Sequence, residues 1–135
     1  MTATGASAEL ITSAFDAWKR RDVDALVLLL DPDVRLRSLM TEPERQYYHG
    51  HEGVRQWLAA VLEVFPDWNP EIQEIKELDD SAVVRFHATA TGHGSGVTID
   101  SDYWLCVQLR DGKAFFFGFY RTEDDARSGL AGDEQ

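Results

Sequence analysis

Four polar side chains in this sequence are of types that could together carry out proton-transfer chemistry. They are Tyr48, His51, Tyr103 and Arg121. Phenol and guanidinium groups can bind and polarise a carbonyl or enolate oxygen, and an imidazole can act as the base, which is the role we assign to His51. Each group also has a simpler interpretation. His51 would face solvent in the first turn of a helix, the tyrosines would be buried with their hydroxyls bonded to backbone, and Arg121 would form a surface ion pair.

A second candidate acid–base pair is formed by His87 and Asp102, which lie in two neighbouring predicted strands. The alternation of apolar and polar residues places both side chains on the outer face of the sheet. They would reach an interior pocket only if a β-bulge shifted the parity of a strand by one residue.

Histidines and glycines do not form a recognisable metal or phosphate site in this sequence. His49, His51 and His93 have no carboxylate or cysteine at a familiar ligand spacing, so no metal is predicted. The segment 92–96 is glycine-rich but does not follow a strand and open a helix, as a phosphate loop must. It is predicted to be a hairpin turn, and no cofactor is expected.

Helical periodicity predicts three helices in the first half of the chain. The first covers about residues 8–20, and a short second one begins after Asp22, a good N-cap, and ends before Pro32. The third begins near Gly50 and has an unbroken apolar face up to Phe65. A half-buried strand is predicted between the second and third helices, beginning at about residue 34.

The second half of the chain has a period of two, which is typical of strands. Strands are predicted at about 71–78, 82–91, 97–109 and 113–121, with short turn-like joins that favour antiparallel hairpins. Helices followed by hairpins indicate an α+β domain. The expected organisation is a flexible N-terminus at 1–7, one domain at 8–122 and a flexible acidic tail at 123–135.

Strand parity and helix faces predict an apolar pocket beneath the sheet. Its expected substrate-binding lining is Trp18, Leu36, Ser38, Met40, Trp57, Leu58, Phe86, Leu105, Phe117 and Phe119. Largely apolar walls with few polar groups suit a planar or polycyclic ligand of low charge. In the last strand, Phe115 is expected to share the inner face with Phe117 and Phe119.

The outer face of the last two strands is also apolar, and we expect it to be covered. Its exposed members would be Trp104, Cys106, Phe116 and Tyr120, and they predict a homodimer interface. The alternative is that the C-terminal segment folds back over them.

The composition of the chain argues against several classes of partner and indicates a cellular location. The formal net charge of −11 and the isoelectric point near 4.6 argue against nucleic acid and against an anionic membrane surface. The single cysteine excludes an internal disulfide. No apolar run approaches the ~18 residues of a membrane helix, and the first residues do not read as a signal peptide. The expected location is the cytoplasm.

An ordered set of short motifs carries a family resemblance over about Ala8 to Thr122. These are the sequences at 14–18, 21–26, 30–34, 48–55, 65–68 and 109–113. The chain resembles the SnoaL-like polyketide cyclase family of the nuclear-transport-factor-2-like superfamily. The resemblance implies a cone-shaped, strongly curved and mostly antiparallel sheet wrapped around three helices, with a pocket at one end. Such proteins include cyclases, isomerases and dehydratases as well as non-catalytic binding or scaffold domains, so the site must decide the function.

The catalytic acids of those relatives are not preserved here. Ketosteroid isomerase, in the same superfamily, has its base, tyrosine and protonated acid at positions that correspond to Ser38, Ala14 and Leu105, and SnoaL-like cyclases have an acid near Leu105. Two interpretations therefore remain open. One is an enzyme that cyclises, isomerises or dehydrates a hydrophobic carbonyl compound without a cofactor, and the other is a non-catalytic ligand-binding or dimeric scaffold domain.

Overall fold

The computed structural model describes residues 6–38, 47–78, 80–91 and 98–132, which form four helices and six strands. In chain order the elements are α1 (Ala6–Lys19), α2 (Val23–Leu28), β1 (Leu30–Arg37), β2 (Tyr47–His49), α3 (Gly50–Val64), β3 (Asn69–Glu77), β4 (Ser81–Thr91), β5 (Thr98–Arg110), β6 (Lys113–Tyr120) and α4 (Glu123–Gly132). In this part of the chain, no helix is both long and apolar enough to cross a membrane.

The six strands form one curved, unclosed sheet in the order β2-β1-β6-β5-β4-β3. Neighbouring strands are antiparallel except β1 and β6, which are parallel. The predicted α+β class and mostly antiparallel sheet are therefore confirmed. β1 begins earlier than expected, at Leu30, and its pairing with β6 is irregular between Leu30 and Arg35. Pro32 lies in this interval. Proline has no N–H group to donate to a neighbouring strand, and it is tolerated here because the hydrogen-bond ladder between β1 and β6 is already irregular.

The inner face of the sheet and the helices enclose one apolar core. In β4 and β5 the buried residues of this core include Val84, Phe86, Ala88, Tyr103 and Leu105, as the alternation predicts. Side chains of a strand point alternately to its two faces, so one register determines the surroundings of every residue in it.

The parity prediction is wrong at Phe115. The pairing of β5 with β6 shifts between Gln108 and Leu109, because Gln108 faces Phe116 while Leu109 faces Ala114. Phe115 is the extra residue of this bulge, and it packs with the outer apolar cluster instead of the core.

The acidic C-terminal segment is a helix between residues 123 and 132, where the sequence predicts a flexible tail. Acidic side chains fill its first turn, where they interact favourably with the helix dipole, and Thr122 Oγ1 accepts the Asp125 N–H at 3.1 Å. Ala126 and Leu130, four residues apart, form its apolar face and pack against the outer side of the sheet. This narrow face is sufficient to fix the helix.

Helix α4 supplies the cover that the sequence assigns to a second subunit. Cys106, Phe116 and Tyr120 are buried in one outer cluster with Ala126. For these three residues the alternative holds, because the C-terminal segment folds back over them. The prediction that they are exposed and form a homodimer interface is wrong. Trp104 is half-buried at the border of the cluster.

Candidate functional site

The interior of the domain holds a small cavity surrounded almost entirely by aromatic rings. Its volume is about 10 Å³, and its lining consists of Trp18, Trp57, Val61, Trp68, Phe86, Tyr103 and Phe119. Helices α1 and α3, strands β4 to β6 and the turn after α3 each contribute to the lining. The space corresponds to about one water molecule, so the rings nearly fill the cone.

Phe119 contacts the rings of three other lining residues. Its ring stacks on Trp57 with centroids 5.4 Å apart and an interplanar angle of 18°, and it lies 5.7 Å from Trp18 and 6.0 Å from Phe86. Offset and edge-on contacts of this kind stabilise beyond the area that they bury.

The three tryptophans of the cavity differ in how their indole N–H groups are satisfied. Trp57 Nε1 donates to Ser38 Oγ at 3.2 Å, in a buried pair. The Nε1 atoms of Trp18 and Trp68 are buried and have no acceptor among the described residues. Buried polar groups normally have a hydrogen-bond partner, so these two indole N–H groups are exceptions within the described residues.

The predicted binding residues divide into those that line this cavity and those packed around it. Trp18, Trp57, Phe86 and Phe119 line it. The others that are described are buried in the surrounding structure, namely Leu36, Ser38, Leu58, Leu105 and Phe117. Met40 lies outside the described residues.

Sequence reasoning missed Trp68 and Val61 as lining residues. Trp68 lies in the turn between α3 and β3, where no periodicity assigns it to a face. The available signal was its position two residues from Pro66 and Pro70. Prolines on both sides restrict the backbone of the turn, but the direction of the Trp68 ring depends on tertiary contacts.

The four residues proposed for catalysis are not gathered at the cavity. Tyr103 lines it, whereas Tyr48 is buried opposite Leu36 in the β1–β2 pairing. The His51 ring is half-buried, with Nε2 2.8 Å from the Leu30 carbonyl oxygen. Arg121 is exposed just after β6.

His87 and Asp102 form a hydrogen-bonded cluster on the outer face of the sheet. His87 Nδ1 lies 2.7 Å from Asp102 Oδ1, and Nε2 lies 2.5 Å from Asp100 Oδ1. Arg85 donates to the other oxygen of Asp102 at 3.2 Å. Strand parity is unbroken here, since Phe86 points inward, so this pair does not reach the cavity.

Two carboxylates around one imidazole favour its protonated form. The hydrogen bond to Asp102, followed by that to Asp100, raises the pKa of His87 above its ordinary value of 6.5. The hydrogen bond from His87 has the largest effect on Asp102 and lowers its pKa below 3.8. Burial opposes this shift, and the hydrogen bond from Arg85 adds to it. The imidazolium then donates from both ring nitrogens.

This cluster should give a pH-dependent contribution to stability. The part due to His87 is complete below pH 6.5 and is lost as the pH rises through its raised pKa. The part due to Asp102 is complete above pH 3.8 and is lost as the pH falls through its lowered pKa. We therefore expect His87→Gln to lower the melting temperature most between these two values and least near pH 9. Melting curves of both proteins at several pH values measure this, and a pH-independent difference would contradict it.

In the described ranges, no group of three or more His, Cys, Asp or Glu side chains is arranged to hold a metal ion. His87, Asp100 and Asp102 form an ion-pair network.

Comparison with protein families identifies the domain. The model of the SnoaL-like domain matches residues 11–116, which extend from within α1 to the middle of β6. The chain belongs to the SnoaL-like domain family. No curated protein is similar enough in sequence to count as a match.

Solved structures of similar shape support this membership at the level of the fold. TerC, co-crystallised with polyporic acid, is 21% identical with a TM-score of 0.77, over 92% of this chain and 97% of that one. An NTF2-like protein from Burkholderia pseudomallei is 18% identical with a TM-score of 0.78, over 90% and 95%. The protein RV0760c from Mycobacterium tuberculosis, in complex with estradiol-17beta-hemisuccinate, is 13% identical with a TM-score of 0.76, over 90% and 97%. The fold of this SnoaL-like domain is therefore NTF2-like.

Proposed function

We propose that this SnoaL-like domain binds a small, uncharged aromatic compound within its aromatic cavity. The observation that carries the proposal is the lining itself, in which six of seven side chains are aromatic. Ligand sites are typically apolar with a few polar groups that fix orientation. That two proteins of the same fold were crystallised with small organic molecules agrees with this role.

The composition of the lining favours a ligand without charge. Tyr103 is its one titratable side chain, and it includes no Lys, Arg, Asp or Glu. A charged group transferred there would lose its hydration without gaining a counter-charge, which is strongly unfavourable.

The small volume means that binding must move aromatic side chains. A cavity of about 10 Å³ cannot hold a benzene ring, so a ligand selects a state in which some rings have rotated outward. Because that state is a minor one, the apparent affinity is reduced by its fractional population. We expect weak binding by simple aromatic probes and tighter binding where the closed packing is relaxed.

Intrinsic fluorescence provides the first test, because three of the four tryptophans line the cavity and Trp104 lies on the outer side of the sheet. We expect indane, which does not absorb at an excitation wavelength of about 295 nm, to change the emission with saturation. The Trp104→Phe variant should show the same response. A response that disappears in this variant would place binding on the outer face.

Filling the cavity should weaken binding. Val61 lies in its wall and is 1% exposed, so Val61→Ile adds one methylene group to a void of about that size. We expect a slightly higher melting temperature and a Kd for indane about 3- to 10-fold higher. Val64→Ile is the matched control, since Val64 is on the same helix but 50% exposed. Unchanged affinity in Val61→Ile would contradict the proposed site.

Proton-transfer catalysis on a carbonyl compound is the second candidate, and Tyr103 is the residue that supports it. Its ring lies 6.0 Å from Phe86, and it carries the one hydroxyl group among the lining side chains, a group type that can donate to a carbonyl oxygen. Loss of turnover in Tyr103→Phe with ligand binding retained would support an enzyme. Equal turnover in both proteins would exclude Tyr103 from the reaction.

A non-catalytic, dimeric scaffold is favoured by the near-complete filling of the cone. With Cys106, Phe116 and Tyr120 covered by α4, a dimer would have to use the remaining outer surface, including Trp104. Size-exclusion chromatography with light scattering measures this, and a monomer at micromolar concentration would exclude the dimer.

A further inference from the structure

We infer that the turn at residues 65–68 is the gate through which a ligand enters the aromatic cavity, and that Arg21 and Asp67 hold this gate closed. The inference rests on the proposed function and adds the route by which the same site is reached. Arg21 and Asp67 are positioning residues, since neither lines the cavity and each acts on the turn that carries Trp68. We call residues 65–68 the gate turn.

The first step is that one part of the cavity wall belongs to neither a helix nor a strand. Six of the seven lining residues lie in α1, α3, β4, β5 or β6, and Trp68 alone lies in a turn. The chain neighbours of this buried ring, Pro66, Asp67 and Asn69, are all exposed. Moving this turn breaks fewer backbone hydrogen bonds than moving a helix or a strand, so the wall opens most easily here.

The second step is that Arg21 fastens the gate turn to α1. Its guanidinium donates to the carbonyl oxygens of Pro66 and Trp68 at 2.9 Å each, and to that of Trp18 at 3.3 Å. One planar group thus joins the C-terminal end of α1 to the gate turn.

The third step is that the backbone at Arg21 is unfavourable for an arginine. The end of α1 is a Schellman motif, in which the Arg21 N–H donates to the Trp18 carbonyl at 3.0 Å and the Asp22 N–H donates to the Ala17 carbonyl at 2.9 Å. Arg21 has φ = 62°, where glycine is usual because it has no β-carbon. The helix end alone would favour glycine, so the contribution of Arg21 lies in what its side chain holds.

The fourth step is that Asp67 fastens the gate turn to the sheet. Its carboxylate accepts the Thr91 N–H, with Oδ1 at 2.9 Å and Oδ2 at 3.1 Å, and Thr91 is the last residue of β4. Asp67 is exposed and Arg21 is half-buried. Both fastenings can therefore break without disrupting a helix or a strand, which is the behaviour of a gate.

The test measures how fast indane enters and leaves the cavity. Line-shape analysis of ¹H–¹⁵N correlation spectra during a titration gives the association and dissociation rate constants. Entry and exit pass through the same gate, so we expect both rate constants to rise about 3- to 10-fold in Arg21→Gly and in Asp67→Ala, with a Kd that changes less than about twofold. A merely structural role would alter the cavity and therefore the Kd.

Two further variants are matched controls. Asp111 also has a positive φ, 54°, but lies in the turn between β5 and β6, so Asp111→Gly relieves the same kind of strain and should change neither rate constant. Asp67→Asn keeps a side-chain oxygen that can accept the Thr91 N–H, so its rate constants should stay close to those of the parent.

Hydrogen exchange of the indole N–H of Trp68 supplies a readout without ligand. This group is buried, so its proton exchanges with solvent only when the wall opens. We expect exchange about 3- to 10-fold faster in Arg21→Gly and in Asp67→Ala. The indole of Trp57, which lines the same cavity from α3, should exchange at the parent rate. If Arg21→Gly fails to fold, Asp67→Ala still decides, because Asp67 is exposed.

The possible failures are distinguishable. If indane binds, but its rate constants and the exchange of the Trp68 indole are unchanged in both variants, the inference is overturned and the proposed function stands. A rise in the dissociation rate constant alone, with a proportional rise in Kd, also overturns the gate. If indane does not bind, the proposed function fails and the inference fails with it.

Discussion

Replacing Phe119 by alanine is expected to lower the free energy of unfolding by about 3–5 kcal/mol, as is usual for truncating a buried aromatic residue. Phe119 is 4% exposed and is in ring contact with Trp18, Trp57, Phe86 and Phe117, so the variant loses contacts on several sides. Urea denaturation followed by circular dichroism measures the difference.

The same substitution should strengthen ligand binding. Without the Phe119 ring, a larger cavity exists before the ligand arrives, so displacement of that ring no longer opposes binding. We expect the Kd for indane to fall about tenfold or more, despite the loss of stability. Phe115→Ala is the control in the same strand, because Phe115 is half-buried in the outer cluster. It should cost less stability and leave the Kd unchanged. A Phe119→Ala protein that is folded but binds indane no better than the parent would contradict a site at this position.

Replacing Gly129 by alanine is expected to displace α4 from the sheet. A Cβ atom at position 129 would lie 2.2 Å from Tyr120 Oη and 2.7 Å from Cζ. The Tyr120 ring has little room to withdraw, because it already occupies the space beside Gly118 that a side chain there would need, and the Arg37 guanidinium lies 4.4 Å from its centroid. We expect a loss of about 1–3 kcal/mol, typical of overpacking.

The expected change in the free energy of unfolding is opposite in sign to the usual effect of Gly→Ala in a helix. In an unobstructed helix, Gly→Ala stabilises by about 0.8–1 kcal/mol, so a clash must reverse the usual outcome. Reactivity of the Cys106 thiol with a disulfide reagent gives a second readout, since Cys106 is fully buried in the cluster beneath α4. Ser128→Ala, at an exposed neighbouring position, should change neither property. An increased melting temperature in Gly129→Ala, with Cys106 still protected, would show that α4 is not seated as described.

Most of the fold follows from periodicity, and the exceptions have local causes. The alternation in β4 and β5 correctly assigns Phe86 and Tyr103 to the interior because those strands pair without interruption. In β6 the bulge at Phe115 breaks the alternation, and no residue there signals it. Helix α4 was missed because a charged segment with two apolar positions is stable only against the surface that it covers.

The candidate site was predictable in its walls but not in its polar groups. Aromatic residues in helices and strands are placed by the periodicity of those elements. Trp68 lies in a turn instead, and its placement depends on tertiary contacts such as the hydrogen bond that the Arg21 guanidinium donates to its carbonyl oxygen. The direction of the His51 ring is decided by an acceptor far away in sequence, the Leu30 carbonyl. Spacing along the chain cannot show such a long-range partner.

The central claim is that an uncharged aromatic ligand enters the interior of the domain, and intermolecular nuclear Overhauser effects test it most directly. With saturating indane, we expect contacts from indane protons to the rings of Trp18, Trp57, Phe86 and Phe119, which line the cavity. Contacts confined to outer residues such as Trp104 or Phe115 would contradict the account and place binding on the opposite face of the sheet.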